Sequence, residues 1–379
     1  MRLILATSSY PTFADEAVNA GVFVRDIAAQ LVKQDHSVHV LTPAKGQPIT
    51  GSPAPVHTFE WGGSEKVLTR LNPRRPLDLF RLGRLMLKGR LELHRLAAAV
   101  DAEAVIAMWA IPAGFWALGS RLPYVVWVLG SDIWGVGRYP LGRTVVRKVL
   151  ENAGYIFGNS LYLLEGVKQL TGRTAEFLAA GRVLPVASTP AATLPDQHPQ
   201  YVFIGRWDRA KGIDVLLDAM RIVVERLPQA QLHLFGGGPL ETEIRSRVQQ
   251  DPLSKCVTVY GFADPGTLVT YLKAADALVI SSRIESMPVL YSDALQCGCP
   301  VVATDVGDLG RLVRQQLTGQ VCPAEDALAL AEIMCQVQPT WRQQYAAALQ
   351  QAVGMFDPAR SAARCAEVLT SLIQEAQSV

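Results

Sequence analysis

The fold is decided by residues 277–300, which read ALVISSRIESMPVLYSDALQCGCP. The first four residues are apolar and include two β-branched side chains, a composition typical of a buried strand. Pro288 suits the first turn of a helix, and Gly298 suits its end. The segment therefore predicts a buried strand, a turn that contains Glu285, and a helix that carries Asp293.

A strand-turn-helix unit of this kind can hold a sugar and a phosphate together. Sugar hydroxyls would donate to the carboxylates of Glu285 and Asp293. Phosphate oxygens would accept from the free N–H groups at the helix start, where the helix dipole is positive. An ordinary capped helix in an α/β domain has the same pattern, so this segment alone leaves both interpretations open.

Length and composition indicate a globular protein with two domains. The chain has 379 residues, of which 49% are hydrophobic, enough to bury two large cores. The formal net charge of +2 gives no general case for nucleic acid as a partner. The six cysteines lack the paired spacing of a zinc site, and no apolar run approaches the ~20 residues that span a bilayer. We therefore expect a cytoplasmic protein.

Strands and helices alternate along the chain, which predicts an α/β protein with two parallel, Rossmann-like sheets. Residues 184–199 contain four prolines among small polar residues, and such stretches usually link domains. The predicted parts are an N-terminal domain over residues 1–185, a linker over 186–200, a C-terminal domain over 201–355, and a last helix at about 356–379 that packs back on the N-terminal domain.

Charged and glycine residues follow several of the predicted strands, where ligands of open α/β sheets collect. Arg206 and Lys211 lie together in one such loop. Two cations suit a diphosphate, whose charge is costly to bury unless it is paired. The glycines at 236–238 would let the backbone approach a ligand. In the first half, Asp132 follows a strand. Gly21 either lets backbone N–H groups approach a phosphate or is a turn glycine.

Residues 70–95 are the chief electrostatic feature of the chain. They hold eight Lys and Arg residues against two acids, a local charge of +6, so the remainder of the chain sums to −4. The pattern predicts a basic amphipathic helix, which would be either a solvated face or an attachment to an anionic membrane surface. Its predicted basic side consists of Arg81, Arg84, Lys88 and Arg95, and its predicted apolar side of Leu79, Leu82, Met86 and Leu93.

Eight short motifs occur in a fixed order along nearly the whole chain. They are Gly21–Arg25, Gly130–Asp132, Asn159-Ser160, Gly205-Arg206 with Lys211-Gly212, Gly236–Pro239, Gly261-Phe262, Glu285–Asp293, and Cys297–Thr304. As an ordered set they resemble the retaining glycosyltransferases of family 4, also called glycosyl transferases group 1. The resemblance implies a GT-B fold, in which two Rossmann-like domains face each other across a cleft and the second domain holds most of the nucleotide-sugar.

The resemblance also implies roles for individual residues. Arg206 and Lys211 would bind the diphosphate, Glu285 and the N–H groups of Ser286 to Pro288 would hold the sugar, and Asp293 would take the ribose hydroxyls. The catalytic candidates are Glu285, Arg206, Lys211 and Asp132, with Asp132 on the acceptor side. The candidates for binding the nucleotide-sugar are Gly21, Gly205, Gly236, Gly238, Phe262, Ser286, Met287, Pro288 and Asp293.

Three positions depart from the family pattern. Asp293 stands where the family usually has Glu, and its side chain is shorter by about 1.5 Å, so its ribose contact would be looser or water-mediated. Leu129 stands where a histidine is common, so no acid or base is assigned there. Leu184-Pro185-Val186 replaces a familiar Asn-Gly turn.

These observations predict a retaining, metal-independent glycosyltransferase with no cofactor. It would move a sugar from a UDP- or GDP-sugar to a carbohydrate or lipid-linked hydroxyl in cell-envelope polysaccharide or glycolipid synthesis, at the inner face of the plasma membrane. No two aspartates are separated by a single residue, which removes the usual short metal clamp. A non-catalytic partner subunit and a sugar epimerase remain alternatives. A dinucleotide oxidoreductase would need an early glycine-rich fingerprint, of which only Gly21 is present.

Overall fold

The computed structural model describes residues 1–11, 21–44, 51–63 and 75–378. The chain divides into two units, the first comprising Met1–Arg182 with Asp357–Val379 and the second Val183–Phe356. The stretch predicted as a linker, residues 186–200, belongs to the second unit. There the ammonium of Lys273 donates to the carbonyl oxygens of Val186 and Thr189 at 3.0 and 2.6 Å.

The first unit contains, within the described residues, a parallel sheet of seven strands. In spatial order these are β3 (Val56–Phe59), β2 (Ser37–Pro43), β1 (Arg2–Ala6), β4 (Ala104–Met108), β5 (Tyr124–Val128), β6 (Tyr155–Gly158) and β7 (Glu176–Phe177). In the register of the central strand, Ile4 lies beside His39 on one side and Val105 on the other. The helices that follow these strands are α1 (Val22–Lys33), α2 (Pro76–Ala99), α3 (Phe115–Ala117), α4 (Pro140–Asn152) and α5 (Leu161–Thr171).

The second unit contains a parallel sheet of six strands, and all of its residues are described. In spatial order the strands are β10 (Val257–Gly261), β9 (Gln231–Gly237), β8 (Gln200–Arg206), β11 (Ala277–Ile280), β12 (Val301–Thr304) and β13 (Gly319–Cys322). The helices are α6 (Ile213–Arg226), α7 (Glu241–Val248), α8 (Leu253–Cys256), α9 (Pro265–Ala274), α10 (Val289–Gln296), α11 (Leu309–Gln316), α12 (Ala327–Met334) and α13 (Trp341–Val353).

The strand-turn-helix unit predicted over residues 277–300 is present as β11, a turn and α10. All four residues of β11 are buried, as the continuous apolar run requires when a parallel sheet is covered on both faces. Pro288 is the cap of α10 and lies one position before its first turn, so that detail of the prediction was wrong. The helix ends before Gly298, whose φ of +60° favours glycine.

The last helix, α14 (Pro358–Gln377), belongs to the first unit. The hydroxyl of Ser361 donates to the carbonyl of Ala179 at 2.9 Å. The guanidinium of Arg364 donates two hydrogen bonds of 2.8 Å to the carboxylate of Glu176. Buried residues of α14, among them Cys365 and Leu369, join the apolar cluster on one face of the first sheet. The second unit is therefore an insertion in the sequence of the first.

The helix predicted from the basic segment is present as α2, but its buried side differs from the prediction. Its buried apolar positions are Leu85, Gly89, Leu93 and Leu96. Gly89 lies against the ring of Trp116, where an added Cβ would be 2.3 Å from the nearest ring atom. Leu79, which was predicted on the buried side, is 57% exposed. Leu93 is fully buried, as predicted, and Leu82 is partly buried against the same core, so the buried side is rotated from the predicted one and overlaps it in part. Gly89, which a hydrophobicity pattern treats as neutral, lies on the buried side. Residues 70–74 of this segment lie outside the described residues.

Candidate active site

Two loops of the second unit meet at the carboxyl edge of its sheet. The lysine loop, residues 206–212, follows β8, and the glutamate loop, residues 281–288, follows β11. These two strands are neighbours and run parallel, with Tyr201 beside Ala277. Parallel neighbours end at the same edge of a sheet, which is where open α/β proteins bind ligands.

The loops touch at Gly212. This residue has a φ of +63°, and a Cβ there would lie 1.9 Å from the carbonyl oxygen of Ser281, so only glycine fits. The hydroxyl of Ser281 donates to the carbonyl of Lys211 at 3.1 Å. The N–H of Arg283 donates to the carbonyl of Ala210 at 2.8 Å. The backbones of the two loops are therefore joined directly.

Lys211 and Glu285 form an ion pair between the loops. The ammonium of Lys211 donates to Oε2 of Glu285, and their side chains are 30% and 13% exposed. The sequence placed these residues 74 positions apart on two separate motifs. The structure brings this predicted phosphate ligand and this predicted sugar ligand into contact at one point on the surface of the second unit.

Asp208, which was not among the predicted site residues, organises the lysine loop. Its Oδ1 accepts the N–H of Lys211 at 3.0 Å, and its Oδ2 accepts a hydrogen bond from Nε of Arg206. The side chain of Arg206 is 58% exposed. An Asp three residues before Lys211, in a loop that opens a helix, is a capping pattern that could have indicated this role.

Arg283 and Asp214 form a second link, between the glutamate loop and the start of α6, which the sequence did not predict. The guanidinium of Arg283 donates to both carboxylate oxygens of Asp214, at 2.7 and 3.0 Å. Burial on its own would raise the pKa of Asp214. The hydrogen bonds and the charge of Arg283, together with backbone N–H groups at the start of α6, outweigh burial and hold this pKa below its usual value. The same hydrogen bonds raise the pKa of Arg283.

The glycine turn after β9 packs against the end of β8. Gly236 has a φ of +126°, and a Cβ there would lie 1.8 Å from the carbonyl oxygen of Gly205. Gly238 lies beside the backbone of Trp207. These glycines therefore let two strand ends approach each other, whatever else they do for a ligand. Phe262 follows β10 at the same sheet edge and is 58% exposed, so its ring could stack on a planar group.

The end of the glutamate loop, directly before α10, contains three further candidates. The carbonyl of Ser286 accepts the N–H of Asp308 at 3.2 Å, and the side chain of Met287 is buried. Pro288 has no N–H, so its predicted contribution as a backbone donor was wrong. Asp293 lies on α10 and is 1% exposed, with its carbonyl accepting the N–H of Cys297 at 3.1 Å. Its contact with a ribose stays a prediction.

The candidates of the first unit are Asp132 and Gly21. Asp132 follows β5 and is 1% exposed. Its carboxylate accepts N–H groups of Ala110 and Gly130 at 3.0 Å and of Ile133 at 3.2 Å. Burial raises the pKa of Asp132, and these hydrogen bonds offset only part of that effect. Gly21 is the cap of α1. The geometry gives Asp132 a part in holding two strand-end turns together, and its place in an acceptor site stays a prediction.

Two absences among the described residues concern metal-binding groups and membrane-spanning helices. In the part of the chain that the structure describes, no three His, Cys, Asp or Glu residues are grouped as a metal site. Within the same residues, no helix combines the length and the apolar character that crossing a bilayer requires.

Two parallel α/β sheets in series, with the paired loops at the edge of the second, define the GT-B class of fold. Sucrose-phosphate synthase from Thermosynechococcus elongatus is similar over 99% of both chains, with a TM-score of 0.81 and 21% identity. The Anabaena protein HepE, solved in complex with UDP, is similar over 98% of this chain and 100% of that one, with a TM-score of 0.73 and 20% identity. The predicted fold is thereby confirmed.

Residues 198–338, which lie within the second unit, match the family described as Glycosyl transferases group 1. Over its length the chain is also similar to TuaC of Bacillus subtilis, named as a teichuronic acid biosynthesis glycosyltransferase. The two are 26% identical over 96% of each chain. Several other curated glycosyltransferases align only in part, and in those pairs the chain spans about a third of the relative's length.

Proposed function

We propose that the protein is a retaining, metal-independent glycosyltransferase. It moves a sugar from a nucleoside diphosphate sugar to a hydroxyl of a carbohydrate or lipid-linked acceptor, in cell-envelope polysaccharide or glycolipid synthesis. The family of the second unit and the full-length similarity to TuaC support this activity. The HepE structure with UDP supports a uridine nucleotide over a guanosine one.

The ion pair between Lys211 and Glu285 carries the proposal. A diphosphate bound at this edge offers Lys211 a partner with more negative charge than one carboxylate, so the ammonium turns from Glu285 to the phosphate oxygens. Glu285 is then free to accept hydrogen bonds from the sugar hydroxyls. Arg206 supplies the second cation, because its guanidinium is exposed beside the same loop.

The reaction follows from this placement of charge. The bond between the anomeric carbon and the diphosphate oxygen breaks, and its electron pair goes to the departing diphosphate, which Arg206 and Lys211 stabilise. The acceptor oxygen attacks the anomeric carbon from the face that the diphosphate leaves. The proton of the acceptor hydroxyl passes to a leaving phosphate oxygen. The anomeric configuration is therefore retained.

Nucleoside diphosphates should stabilise the folded protein. At about 100 times its dissociation constant, UDP is expected to add ~2.7 kcal/mol to the free energy of unfolding, because it binds the native state only. Thermal unfolding in the presence of UDP, GDP and their monophosphates measures this effect. Diphosphates should stabilise more than monophosphates, because only they engage both cations.

Turnover tests the remaining parts of the proposal. With the nucleotide-sugar that stabilises most, transfer or slow hydrolysis should be unchanged by EDTA, and the product should keep the anomeric configuration of the substrate. An inverted product or loss of turnover in EDTA would refute the retaining or the metal-independent part. No stabilisation by any nucleoside diphosphate would refute the site.

An exposed apolar surface with adjacent basic residues on α2 supports a lipid-linked acceptor. The face opposite the buried residues exposes Leu77, Phe80, Leu87 and Leu91, each at least 49% exposed. Arg84 lies beside this apolar stripe, its guanidinium 5.9 Å from the ring centroid of Phe80. Apolar residues flanked by cations suit the interface of an anionic bilayer, where each basic group contributes about 1 kcal/mol.

The basic side of α2 carries less unpaired positive charge than the sequence predicted. Arg81 donates to Asp78 at 3.2 Å and to the carbonyl of Gly62 at 2.9 Å, and Arg95 donates to Glu92 at 2.8 Å. Two of the four predicted cations are therefore already engaged by acids of the same helix. Arg84 and Lys88 are the better choices for a test.

The protein should co-sediment with vesicles that contain anionic lipid. Replacing Arg84 and Lys88 by alanine is expected to reduce binding at 0.1 M salt by about tenfold or more, and 1 M salt should have the same effect, since the Debye length falls from about 10 Å to about 3 Å. Leu87→Ser with Leu91→Ser should reduce binding even at low salt. Alanine at Lys255 and Arg311, which removes the same charge from the second unit, is the control. Equal binding to neutral and anionic vesicles would argue against this surface.

A further inference from the structure

We propose that Arg283 and Asp214 are a positioning pair, which keeps the glutamate loop at the correct distance from the lysine loop while a nucleotide-sugar is bound. The inference rests on the proposed function, because it concerns the same site. Neither residue touches the reacting atoms. Arg283 acts through the glutamate loop that carries it, and Asp214 acts from the start of α6, directly after the lysine loop.

Arg283 ties the glutamate loop to three points around the lysine loop. Its guanidinium donates to both oxygens of Asp214 at 2.7 and 3.0 Å and to the carbonyl of Arg209 at 2.7 Å. Its backbone N–H donates to the carbonyl of Ala210 at 2.8 Å. A bidentate contact from a planar guanidinium fixes direction as well as distance. Arg283 is two positions before Glu285, so the constraint acts close to the carboxylate that would hold the sugar.

Asp214 holds the pair in place because it lies on a helix. It is the second residue of α6, three positions after Lys211, and it is 8% exposed. A buried ion pair is weak evidence of a role in stability, because replacing both of its members by apolar residues of similar volume is often neutral. A pair that joins one ligand-binding loop to the helix that follows the other has a further use, which is to fix the distance between those loops.

The opposite side of the glutamate loop is held by the turn after β12. A Cβ on Gly307 would lie 2.0 Å from the carbonyl oxygen of Glu285, so this turn fits directly beneath the loop. The N–H of Asp308 donates to the carbonyl of Ser286. Contacts from both sides therefore define the position of the Glu285 backbone, and Arg283 supplies the ones that face the lysine loop.

The pair matters most when ligand is bound. In the structure, Lys211 and Glu285 contact each other directly. When phosphate takes Lys211, that side-chain link between the loops is lost. The contacts of Arg283 with Asp214 do not involve Lys211, so they persist when Lys211 changes its partner. The distance between Lys211 and Glu285 is therefore kept during the reaction.

The test is Arg283→Lys, which keeps the charge and loses the bidentate geometry, together with Asp214→Asn. Each is expected to lower kcat about tenfold or more, to leave the affinity for UDP within about twofold, and to reduce the extra affinity for UDP-glucose over UDP. GDP and GDP-mannose replace these probes if guanine nucleotides stabilise the wild type. The double variant Arg283→Met with Asp214→Leu should recover much of any lost thermal stability and none of the lost kcat.

Arg364→Lys is the matched control. Arg364 makes the same kind of contact in the first unit, where it is bidentate to Glu176 at 2.8 Å. It also pairs with a second carboxylate, Glu367, at 2.7 Å, as Arg283 pairs with Glu325 at 2.8 Å. It should leave kcat unchanged. Wild-type kcat in Arg283→Lys, or a kcat that returns with stability in the double variant, would overturn the pair's positioning role. A wild-type protein that turns over no nucleotide-sugar would overturn the proposed function, and the pair's role with it.

Discussion

Glu285→Gln is expected to reduce turnover about 100-fold while UDP still binds. Glutamine keeps the size of the side chain but removes the charge that strengthens hydrogen bonds from sugar hydroxyls as positive charge develops on the ring. Lys211 also loses its competing partner within the protein, so the affinity for UDP should stay the same or rise. Steady-state kinetics and calorimetric titration with UDP measure the two effects separately.

Asp251→Asn is the control for this variant. Asp251 pairs with Lys255 at 3.1 Å on the surface of the same unit, so the substitution removes a carboxylate from a lysine without touching the paired loops. It should leave turnover unchanged. A Glu285→Gln protein with normal kcat, or one that no longer binds UDP, would be incompatible with a sugar-orienting role for Glu285.

Lys211→Ala is expected to have the second large effect, and it should act on binding as well as on turnover. A charge-assisted contact to phosphate contributes about 1.5–3 kcal/mol, so the affinity for UDP should fall about 10- to 150-fold. Turnover should fall in addition, because the charge of the departing diphosphate is less well stabilised. Calorimetry with UDP and single-turnover kinetics with the nucleotide-sugar measure both losses.

This substitution leaves Glu285 without its lysine, so folding must be checked independently. Thermal unfolding of Lys211→Ala compared with the double variant Lys211→Ala with Glu285→Gln shows how much of any loss comes from the unpaired carboxylate. Lys255→Ala is the control for removal of a surface lysine. Undiminished UDP affinity in a folded Lys211→Ala protein would mean that the diphosphate binds elsewhere.

The sheet of the second unit could be predicted because its central strands are covered on both faces. A strand of that kind is a continuous apolar run, and Ala277–Ile280 and Val301–Thr304 have that form. The ends of these runs then locate the loops, and loops at strand ends that carry Lys211 or Glu285 indicate a site. Fold class and the outline of the site therefore follow from local patterns.

The contact between Arg283 and Asp214 could not be predicted in the same way. The two residues are 69 positions apart, one in a loop and one at a helix start, where charged side chains usually face water. No spacing rule connects them. Their meeting depends on β8 and β11 being neighbours in the sheet, which is a property of the folded topology.

The error on α2 has a different origin. Its leucines are spaced so that more than one side of the helix is apolar, and both the buried and the exposed sides contain them. The choice between these sides depends on Gly89, which a hydrophobicity pattern treats as neutral. Only the position of Trp116, from another element, shows why the small residue faces inward.

The membership of α14 in the first unit has a consequence for biosynthesis. During translation the second unit has all of its residues once Phe356 has left the ribosome, and it can fold as a unit at that time. The first unit, although most of it is made earlier, lacks part of the apolar layer over Leu3 and Leu5 until Cys365 and Leu369 emerge. The first unit is therefore begun before the second and receives its last apolar residues after it.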